Sequence, residues 1–350
     1  MMTTGAHLLA RIRTIAGVSA VLLLVAGAPV AVGATPALAD CVTAGCPSPV
    51  PLPAGAFRFP QGARWQYQLQ AARNASGTAC LYPSTGGINT GITGTSFATG
   101  ATVVPTVFDI DFQTDGFCTG GTITQENTAA VAALHAQGAH VIGYIDAGGA
   151  ESFRPDFAQY QSFNNSCGGC LFGKPISGFR NEFWLNINNN VFGHDPNDSP
   201  GTTESAQEFI LEEVAARLAR VKADGFDGVE FDVVDSWENN TGLTISADTQ
   251  LQFNTQLANM AHQQGLPVAL KNDVEQIPDL LPYFDFAINE QCQQYRECAT
   301  LQPFLNAGDA VYQVEYKLST GKFCPQANQV SRSAILKTFD LFDTPWTPCN

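Results

Sequence analysis

Carboxylates are concentrated in one short apolar stretch of the chain. The segment GFDGVEFDVVD (225–235) contains Asp227, Glu230, Asp232 and Asp235, while its apolar residues are those of a buried strand. A carboxylate is tolerated in such a strand only when a cation or hydrogen bonds compensate it, or when it has a chemical role. The stretch is therefore a candidate for acid/base or nucleophilic chemistry.

The faces of this predicted strand separate the acids from the apolar residues. Side chains alternate along a strand, so Gly228, Glu230 and Asp232 share one face and Phe231 lies on the other. In a barrel the apolar face would meet the surrounding helices and the acidic face would point inward. We expect Asp232 to reach the mouth, Glu230 to lie deeper, and Asp235 to be in the following loop.

Polar side chains recur at or near the ends of other predicted strands. They are Asp109, Asp111, Asp146, Asn272, Glu290 and Glu315. One such residue alone is more often a helix cap or a turn former. Recurrence on several strands favours a shared site, because barrel enzymes place their chemistry at the carboxyl ends of strands. Lys271 and Arg154 are available as cationic partners.

Short apolar segments alternate with helical patterns from about residue 103 onward. The predicted strands are 106–112, 140–146, 182–187, 227–234, 267–272, 284–290, 310–316 and 334–342, and the predicted helices are 125–137, 204–223, 248–264 and 293–304. A further short strand candidate, 65–69, precedes them. Eight strands with intervening helices predict an α/β fold, a single-domain (β/α)8 TIM barrel over residues 63–350. An irregular, Gly- and Thr-rich N-terminal segment, 73–101, is expected beside it.

The first 39 residues have the pattern of a secretory signal peptide. Arg11 and Arg13 precede an apolar run that ends in an Ala37-Leu38-Ala39 cleavage site. A retained membrane anchor is the alternative, and the cleavage site with the Pro-rich stretch after it disfavours that reading. Residues 40–62 are expected to be a Pro/Ala-rich linker, and the protein is expected to be secreted and extracellular.

The charge balance bears on the class of partner. The chain has 17 Lys+Arg against 32 Asp+Glu, a net charge of −15. The signal peptide carries two Arg and no acid, so the mature chain has 15 bases against 32 acids, or −17. Such a charge repels nucleic acid and suits a cationic polymer, or simply solubility. No other apolar run could cross a bilayer, so we expect no membrane partner once the signal is removed. We also expect a monomer.

Ten cysteines in a secreted chain predict disulfides. Proximity in sequence suggests five pairs, while connectivity stays open from sequence alone: Cys41–Cys46, Cys80–Cys118, Cys167–Cys170, Cys292–Cys298 and Cys324–Cys349. Cys167 and Cys170 could instead form a metal or redox pair. A small closed loop is favoured, because no matching second pair and no nearby pair of histidines accompanies them.

The pattern of acids favours glycoside hydrolysis over other chemistry. That reaction needs one carboxylate facing the anomeric carbon and one acid to protonate the leaving oxygen. The four histidines after the signal, at 135, 140, 194 and 262, form no zinc-ligand motif. No G-x-S-x-G elbow occurs, so a serine nucleophile lacks support. We therefore expect neither a metal nor an organic cofactor.

Seven segments in a fixed order resemble one enzyme family. They are FDIDF (108–112), GYIDAGGAESFRPD (143–156), GKPISGFRNEFWLNI (173–187), GFDGVEFDVVDSWENNTG (225–242), LKND (270–273), FAINEQCQQYREC (286–298) and AVYQVEY (310–316). From about Trp65 to Tyr316 the chain resembles the glycoside hydrolase family 114 barrels, the endo-α-1,4-polygalactosaminidases. The resemblance implies hydrolysis of internal α-1,4 bonds in a galactosamine-containing, cationic or partly deacetylated exopolysaccharide.

The same resemblance implies a catalytic pair, carried over to Asp232 and Glu290. In a retaining enzyme Asp232 would be the nucleophile and Glu290 the acid/base. Around them we expect substrate-binding or pKa-tuning groups: Asp109, Asp111, Tyr144, Asp146, Glu151, Arg154, Trp184, Asp235, Trp237, Lys271, Asn272, Glu315 and Tyr316. Each aromatic residue among them could equally be a core residue.

Two positions depart from the family pattern, and two other functions remain open. Asn186 stands where the family often has Asp, and Val233 stands where Asn is common, so local hydrogen bonding there is in question. One alternative function is a non-catalytic polysaccharide-binding barrel, which would bind polymer without forming products. The other is a hydrolase of a different α-linked amino sugar or galactoside, which a panel of oligosaccharides would reveal.

Overall fold

The structure is a computed structural model that describes residues 41–120, 123, 125–179 and 181–350. The expected signal peptide, 1–39, lies outside the described residues. Within the described part of the chain, no helix is long and apolar enough to cross a membrane.

Eight parallel strands follow one another around a barrel. They are β1 (Trp65–Gln68), β2 (Val107–Asp111), β3 (His140–Asp146), β4 (Gly228–Asp232), β5 (Val268–Lys271), β6 (Phe286–Glu290), β7 (Ala310–Glu315) and β8 (Ser333–Leu336). Each pairs in parallel with the next, and a ninth strand, Thr347–Pro348, is antiparallel to β8. The predicted (β/α)8 barrel is confirmed.

Side chains join β8 to β1 where the sheet closes. The Lys337 ammonium, just beyond β8, donates to Gln66 Oε1 of β1 at 3.0 Å. Trp346 Nε1 donates to the carbonyl oxygen of Trp65 at 2.8 Å. These bonds hold the first and last parallel strands together and complete a nearly closed barrel.

One predicted barrel strand is wrong. The sequence places residues 182–187 in the barrel, but Glu182–Leu185 is the central strand of a separate antiparallel sheet with Gly149–Glu151 and Phe172–Pro175. The strand that takes its place in the barrel is β1, which corresponds to the short candidate at 65–69. Both segments are short and apolar, so local pattern could not distinguish them. Because one strand replaces the other, Asp232 still ends the fourth barrel strand and Glu290 the sixth.

Helices occupy the connections between strands. The α-helices are Cys41–Ala44, Thr128–His135, Phe157–Ser166, Ala206–Ala223, Ala247–Gln263, Ile277–Leu280, Cys292–Tyr295, Gln302–Ala307 and Thr320–Gln329; the short 3-10 turns are Pro83–Thr85, Phe117–Thr119, Ser236–Glu238 and Cys298–Leu301. Two small hairpins complete the elements: Gly94–Thr95 with Thr102–Val103, and Phe192–Gly193 with Glu204–Ser205. The longest helix, Ala206–Ala223, starts at a capping box in which Ser205 and Glu208 bond each other's backbone N–H.

Residues 41–62 pack against the barrel. Val50 N donates to Asn259 Oδ1 at 2.7 Å, and Tyr283 Oη donates to the Pro47 carbonyl oxygen at 2.7 Å. Further along, Phe59 is 4% exposed, and its ring centroid lies 4.6 Å from that of Phe286, the first residue of β6. A Cβ on Gly228, the first residue of β4, would lie 2.5 Å from the Phe59 ring. Phe59 therefore closes the floor of the barrel, where the strands begin.

Five disulfides connect the ten cysteines. They join Cys41 to Cys46, Cys80 to Cys118, Cys167 to Cys170, Cys292 to Cys298, and Cys324 to Cys349, and no cysteine is free. These are the pairs that proximity in sequence suggested. Asn186 helps to hold one of the loops, because its Nδ2 donates to the Cys170 carbonyl oxygen at 2.9 Å. An Asp at position 186 would lack this donor.

Candidate active site

Polar side chains converge where the parallel strands end. Asp232 ends β4, Lys271 ends β5 and Glu290 ends β6, and Asp232 pairs in register with Asp146 of β3. A cleft of about 460 Å³ opens above these ends, and Asp232 and Glu290 both line it. Their side chains are 22% and 28% exposed, so both are accessible to a ligand in the cleft.

A buried ammonium group holds three carboxylates together, and we call this group the Lys271 cluster. Lys271 Nζ lies 2.9 Å from Glu230 Oε1, 3.0 Å from Asp232 Oδ1 and 3.9 Å from Glu290 Oε2. Burial alone would lower the pKa of Lys271, but Asp232, Glu230 and Glu290 more than offset it and hold the pKa well above its usual value. The lysine is therefore a permanent positive charge.

The shared lysine bounds the separation of the proposed catalytic carboxylates. Its distances to Asp232 Oδ1 and Glu290 Oε2 place these two oxygens at most about 7 Å apart, against about 5–5.5 Å in retaining and about 6.5–9.5 Å in inverting glycosidases. The two carboxylates can therefore flank one glycosidic bond.

Each oxygen of Glu290 has a donor from a neighbouring element. Tyr316 Oη donates to Glu290 Oε1, and Asn272 Nδ2 lies 3.5 Å from Glu290 Oε2. Asn272 also accepts from the Glu290 backbone N–H through Oδ1, at 3.0 Å. These contacts fix the carboxyl group in one orientation toward the cleft.

Left-handed backbone follows each of these strand ends. The φ angle is +62° at Val233 after Asp232, +53° at Asn272 after Lys271, and +62° at Gln291 after Glu290. A β-branched residue rarely adopts such a φ, whereas Asn does so readily, so Val233 is strained. The turn also needs Gly148, because a Cβ there would lie 1.9 Å from the Val233 carbonyl oxygen.

A second carboxyl pair lies beneath the Lys271 cluster. Asp109 and Glu230 are both 0% exposed, and neither oxygen of Asp109 has a donor among the described residues. Burial first, and then the charge of Glu230, raises the pKa of Asp109 well above its usual value. Because Glu230 faces Lys271, Asp109 is the partner that keeps the proton. Tyr67 Oη links the layers, 3.1 Å from both Glu230 Oε1 and Lys271 Nζ.

On the other side of Asp232 lies a carboxyl pair without an ammonium partner, the Asp146–Glu182 pair. Each of the two carboxyl groups perturbs the pKa of the other, and Asp146 Oδ1 accepts from Gly149 N at 2.7 Å. Burial and the nearby charges of Glu151 and Asp232 raise the pKa of Asp146 to about 8. Burial, with the charges of Asp146 and Glu151, also raises the pKa of Glu182 well above its usual value, so the pair retains a proton near neutral pH.

Arg154 organises the wall of the cleft next to this pair. Its guanidinium binds Asp111 through two bonds, at 2.8 and 2.6 Å, and binds Glu151 at 2.6 Å. The side chain is 1% exposed, and Asp111 and Glu151 hold the pKa of Arg154 well above its usual value against the effect of burial. A bidentate pair of this kind fixes both acids in position.

The other candidate residues divide between the cleft and its surroundings. Tyr144, Trp184 and Asp235 line the cleft, as do Asp111, Glu151 and Asn272. Trp237 and Glu315 are not among the described lining residues: Trp237 Nε1 donates to Asp273 Oδ1 at 3.0 Å, and Glu315 Oε1 accepts from Gln293 N at 2.8 Å and Gln313 Nε2 at 2.9 Å. Their contacts are those of structural residues.

Several residues of the site are not among the candidates that the sequence supplies, and four of them matter most for its geometry. Tyr67 lies on β1, outside the eight predicted strands, and Glu182 lies on the strand that was wrongly assigned to the barrel. Phe153 and Phe179 line the cleft from turns of the small antiparallel sheet. For Phe153 and Phe179, the sequence offered one signal: each is an aromatic residue within a Gly-containing segment, 143–156 or 173–187.

The lining of the cleft is strongly acidic. Eight of the described lining residues are acids, and none of them is Lys or Arg: Asp111, Asp115, Glu151, Glu182, Asp232, Asp235, Glu290 and Asp340. Water-excluding walls focus the field of such charges into the cleft. The arrangement favours a cationic or hydrogen-bond-donating ligand over an anion.

A separate group of acids could hold a metal ion. Ligand atoms of Asp195, Glu204 and Glu212 lie within 4.8 Å of one another. Burial and the neighbouring acids raise the pKa of Glu204 to about 7. None of the three lines the cleft, so the group lies apart from the proposed catalytic carboxylates.

Comparison with known proteins identifies the family of this chain. The model of glycoside-hydrolase family GH114 matches residues 48–350. The crystal structure of Aspergillus fumigatus Ega3 in complex with galactosamine is similar, with 25% identity, a TM-score of 0.60, and coverage of 84% of this chain and 98% of that chain. The glycoside hydrolase domain of PelA from Pseudomonas aeruginosa also matches, with 12% identity, a TM-score of 0.46, and coverage of 69% and 90%.

A search of curated proteins found no match. The family match covers more than half of the chain, and the barrel with an acidic cleft at its carboxyl end is the architecture expected of such enzymes. The chain belongs to glycoside-hydrolase family GH114 and is a glycoside hydrolase.

Proposed function

We propose that this enzyme is extracellular and hydrolyses internal α-1,4-galactosaminidic bonds in a galactosamine-containing polysaccharide. The observation that carries the proposal is the pairing of Asp232 with Glu290 across Lys271, at the base of an acidic cleft. The similarity to Ega3, whose structure contains galactosamine, supports the sugar. The excess of carboxylates supports a polymer that carries protonated amines.

Asp232 is the nucleophile of the proposed retaining reaction. Its oxygen attacks the anomeric carbon, the bond from that carbon to the leaving oxygen breaks, and Glu290 gives its proton to the leaving oxygen. Glu290 then takes a proton from water, whose oxygen displaces Asp232 and restores the starting configuration. Lys271, at 3.0 Å, keeps a compensating positive charge beside the nucleophile throughout.

The hydrogen bonds of Glu290 suit an acid/base that changes protonation state twice. Tyr316 Oη and Asn272 Nδ2 stay in place when Glu290 is ionised and retain its orientation when it is protonated. Proton transfer depends on such positioning, because the carboxyl group must lie within hydrogen-bond reach of the leaving oxygen.

Purified enzyme and defined polymers test this proposal. Partly deacetylated α-1,4-galactosaminan should be cut to oligomers of several lengths, and Asp232→Asn and Glu290→Gln should each lower kcat by a factor on the order of 10³ or more with the fold intact. Glu213→Gln, an acid on the helix Ala206–Ala223, is the matched control and should keep full activity. If wild-type enzyme left the polymer intact, the proposal would be wrong.

The anomer of the first product separates retention from inversion. Proton NMR of fresh digests should show the α-anomer before mutarotation. Early β-anomer would instead mean that Asp232 acts as a base on water. Bound but uncut polymer would point to a binding barrel, and cleavage of another α-linked amino sugar alone would reassign the substrate.

Export is the remaining part of the proposal. Residues 1–39 are expected to direct secretion and to be removed after Ala39. Expression of the full chain in a secreting host, followed by N-terminal sequencing of protein from the medium, should give a chain beginning at Asp40. Sedimentation of that protein should show a monomer.

A further inference from the structure

Two exposed phenylalanines lie in the wall of the cleft. Seven large hydrophobic residues of the described chain are well exposed, among them Phe153 at 48% and Phe179 at 49%. These are the two of the seven that line the cleft. Exposed apolar rings at a binding site, unlike scattered ones elsewhere, indicate contact with a ligand.

The backbone holds the two rings on one rigid support. Phe153 lies in the turn after Gly149–Glu151, and Phe179 lies in the turn between Phe172–Pro175 and Glu182–Leu185. The pairing of these strands continues in a bond from Ser152 N to Asn181 O at 2.7 Å, so the two turns lie side by side. Phe179 N also donates to the Ile176 carbonyl oxygen at 3.0 Å.

Arg154 supports Phe153 from beneath. The centre of its guanidinium lies 5.5 Å from the centroid of the Phe153 ring, and Asp111 and Glu151 hold that guanidinium in place. One face of the ring is thus covered, while the residue remains 48% exposed and lines the cleft. A cation on one face weakens the attraction of the ring for a second cation. The open face is therefore suited to an apolar surface.

We propose that Phe153 and Phe179 form an outer sugar-binding platform for polymer residues beyond the bond that is cut, on the Asp232 side of the cleft. The inference rests on the proposed function and names a further part of its binding site. The hydrogens on C3, C4 and C5 of a galacto-configured ring lie on one face and form an apolar patch that fits an aromatic ring. The 2-amino group of the same sugar can donate to Glu151 or Glu182 in the adjoining wall.

The side of the cleft follows from the strand connections. Asp232 pairs in register with Asp146, and the chain runs from Asp146 through Gly149–Glu151 to Phe153. Glu290 lies two strands further round the barrel, next to a wall made of residues such as Gln291 and Phe339. A platform on one side only predicts that a long chain binds more tightly than a short one.

Chain-length dependence of kcat/KM tests the platform. The ratio of kcat/KM for long galactosaminan to that for the shortest cleaved oligosaccharide should fall about fivefold in Phe153→Ala and Phe179→Ala, and further in the double variant. Phe192→Ala is the matched control, because Phe192 is 59% exposed and does not line the cleft; its ratio should equal that of the wild type. Unchanged ratios in both cleft variants would overturn the inference.

Replacement by other side chains distinguishes stacking from apolar contact. Phe153→Trp and Phe179→Trp should restore the ratio, because a flat ring is retained, whereas Phe153→Leu should not. Equal ratios for the Trp and Leu variants would remove the role of stacking. Circular dichroism and Tm of every variant would identify any that does not fold.

Binding to an inactive enzyme separates this inference from the proposed catalytic function. In the Asp232→Asn background, the Kd of long galactosaminan measured by calorimetry should rise about fivefold on adding Phe153→Ala. That rise would stand even if wild-type enzyme left the polymer uncut. Cleavage by wild-type enzyme with no rise in Kd would leave the proposed function intact and disprove the platform.

Discussion

Two groups of carboxyl side chains lie next to each other at the carboxyl ends of the strands, and they differ in whether a cation lies among them. Glu230, Asp232 and Glu290 share the ammonium of Lys271. On the other side, Asp146 and Glu182 are only 1% and 8% exposed, but no described Lys or Arg forms an ion pair with either carboxyl. The guanidinium of Arg217 donates instead to the Asp146 carbonyl oxygen at 2.9 Å.

This difference in cation content explains how one end of the barrel can hold acids in two protonation states. A buried carboxyl group keeps its proton unless a positive charge or several donors stabilise the ion. Lys271 supplies that charge beside the proposed nucleophile, whereas the Asp146–Glu182 pair shares a proton and remains less charged near neutral pH. The two groups therefore differ in protonation state because of where the cation lies, and not because of their residue types.

Removal of the ammonium should make the first group resemble the second. Lys271→Met leaves buried carboxylates uncompensated, which costs about 3–5 kcal/mol of unfolding free energy. With the electrostatic support of the nucleophile gone, kcat should fall by a factor on the order of 10²–10³. Urea unfolding and steady-state kinetics measure the two losses.

Lys337→Met is the matched control for that change. Lys337 is also 1% exposed, but it lies at the closure of the barrel and donates to Gln66 Oε1. Its replacement should lower stability while the folded enzyme retains its kcat. A Lys271→Met enzyme with normal kcat would contradict the role given to the ammonium.

Glu182→Gln should alter the second group through pH. The pKa of Asp146 is raised to about 8 in the folded state, against about 4 in the unfolded chain. The folded state therefore binds the extra proton, and the unfolding free energy falls as pH rises from about 4 to about 8. Gln at 182 removes a second carboxyl whose pKa is raised by burial, so the variant should lose less unfolding free energy as pH rises and be about 1 kcal/mol more stable than wild type at pH 8.

Glu208→Gln provides a control of opposite sign. Bonds from the Ser205 N–H and hydroxyl lower the pKa of Glu208, so its contribution is present above its unfolded pKa of about 4 and is lost as pH falls. The variant should lose about 0.5–1 kcal/mol at neutral pH. If the unfolding free energies of wild type and Glu182→Gln changed with pH in the same way, the Asp146–Glu182 pair would not be retaining a proton in the folded state.

Val233, at the turn between the two groups, offers a smaller test. Its φ of +62° is unfavourable for a β-branched residue. Val233→Asn should raise the unfolding free energy by about 1 kcal/mol, because Asn adopts this conformation readily. Val233→Thr, which stays β-branched, should give no gain in the same urea titration. Loss of stability in the Asn variant would show that apolar contacts of Val233 outweigh its strain.

Salt should have the smallest effect and should depend on the substrate. Raising ionic strength from about 0.05 to about 0.5 M screens exposed charges, so the apparent KM for deacetylated polymer should rise about two- to fivefold. Fully acetylated polymer carries no amine charge and should respond little. Equal responses would mean that the acidic lining does not attract the substrate electrostatically.

Sequence reasoning found the barrel and the strand-end acids because both depend on local pattern. Alternation along β4 put Glu230 and Asp232 on one face, and parallel neighbours brought Lys271 and Glu290 beside them. The carboxyl ends of all strands in a parallel barrel lie at the same end of the barrel. The family resemblance added which two acids to select as the catalytic pair.

Residues outside the barrel strands could not be placed in this way. Glu182 reaches the cleft through an antiparallel sheet that pairs it with Glu151, far away in the chain, and a short apolar strand does not reveal its partner. Phe153 and Phe179 depend on the same sheet. Trp237 and Glu315 are candidates by residue type near strand ends, and only long-range contacts show that they face Asp273 and Gln293.

The phenylalanine that seals the barrel floor has a practical consequence for handling this enzyme. A shortened version that starts at the first barrel strand would leave Phe286 and Tyr312, which pack beside Phe59, open to water. Such a protein would be prone to aggregate during expression. Trimming for production or crystallisation should therefore stop ahead of Pro47, and an affinity tag belongs before that point.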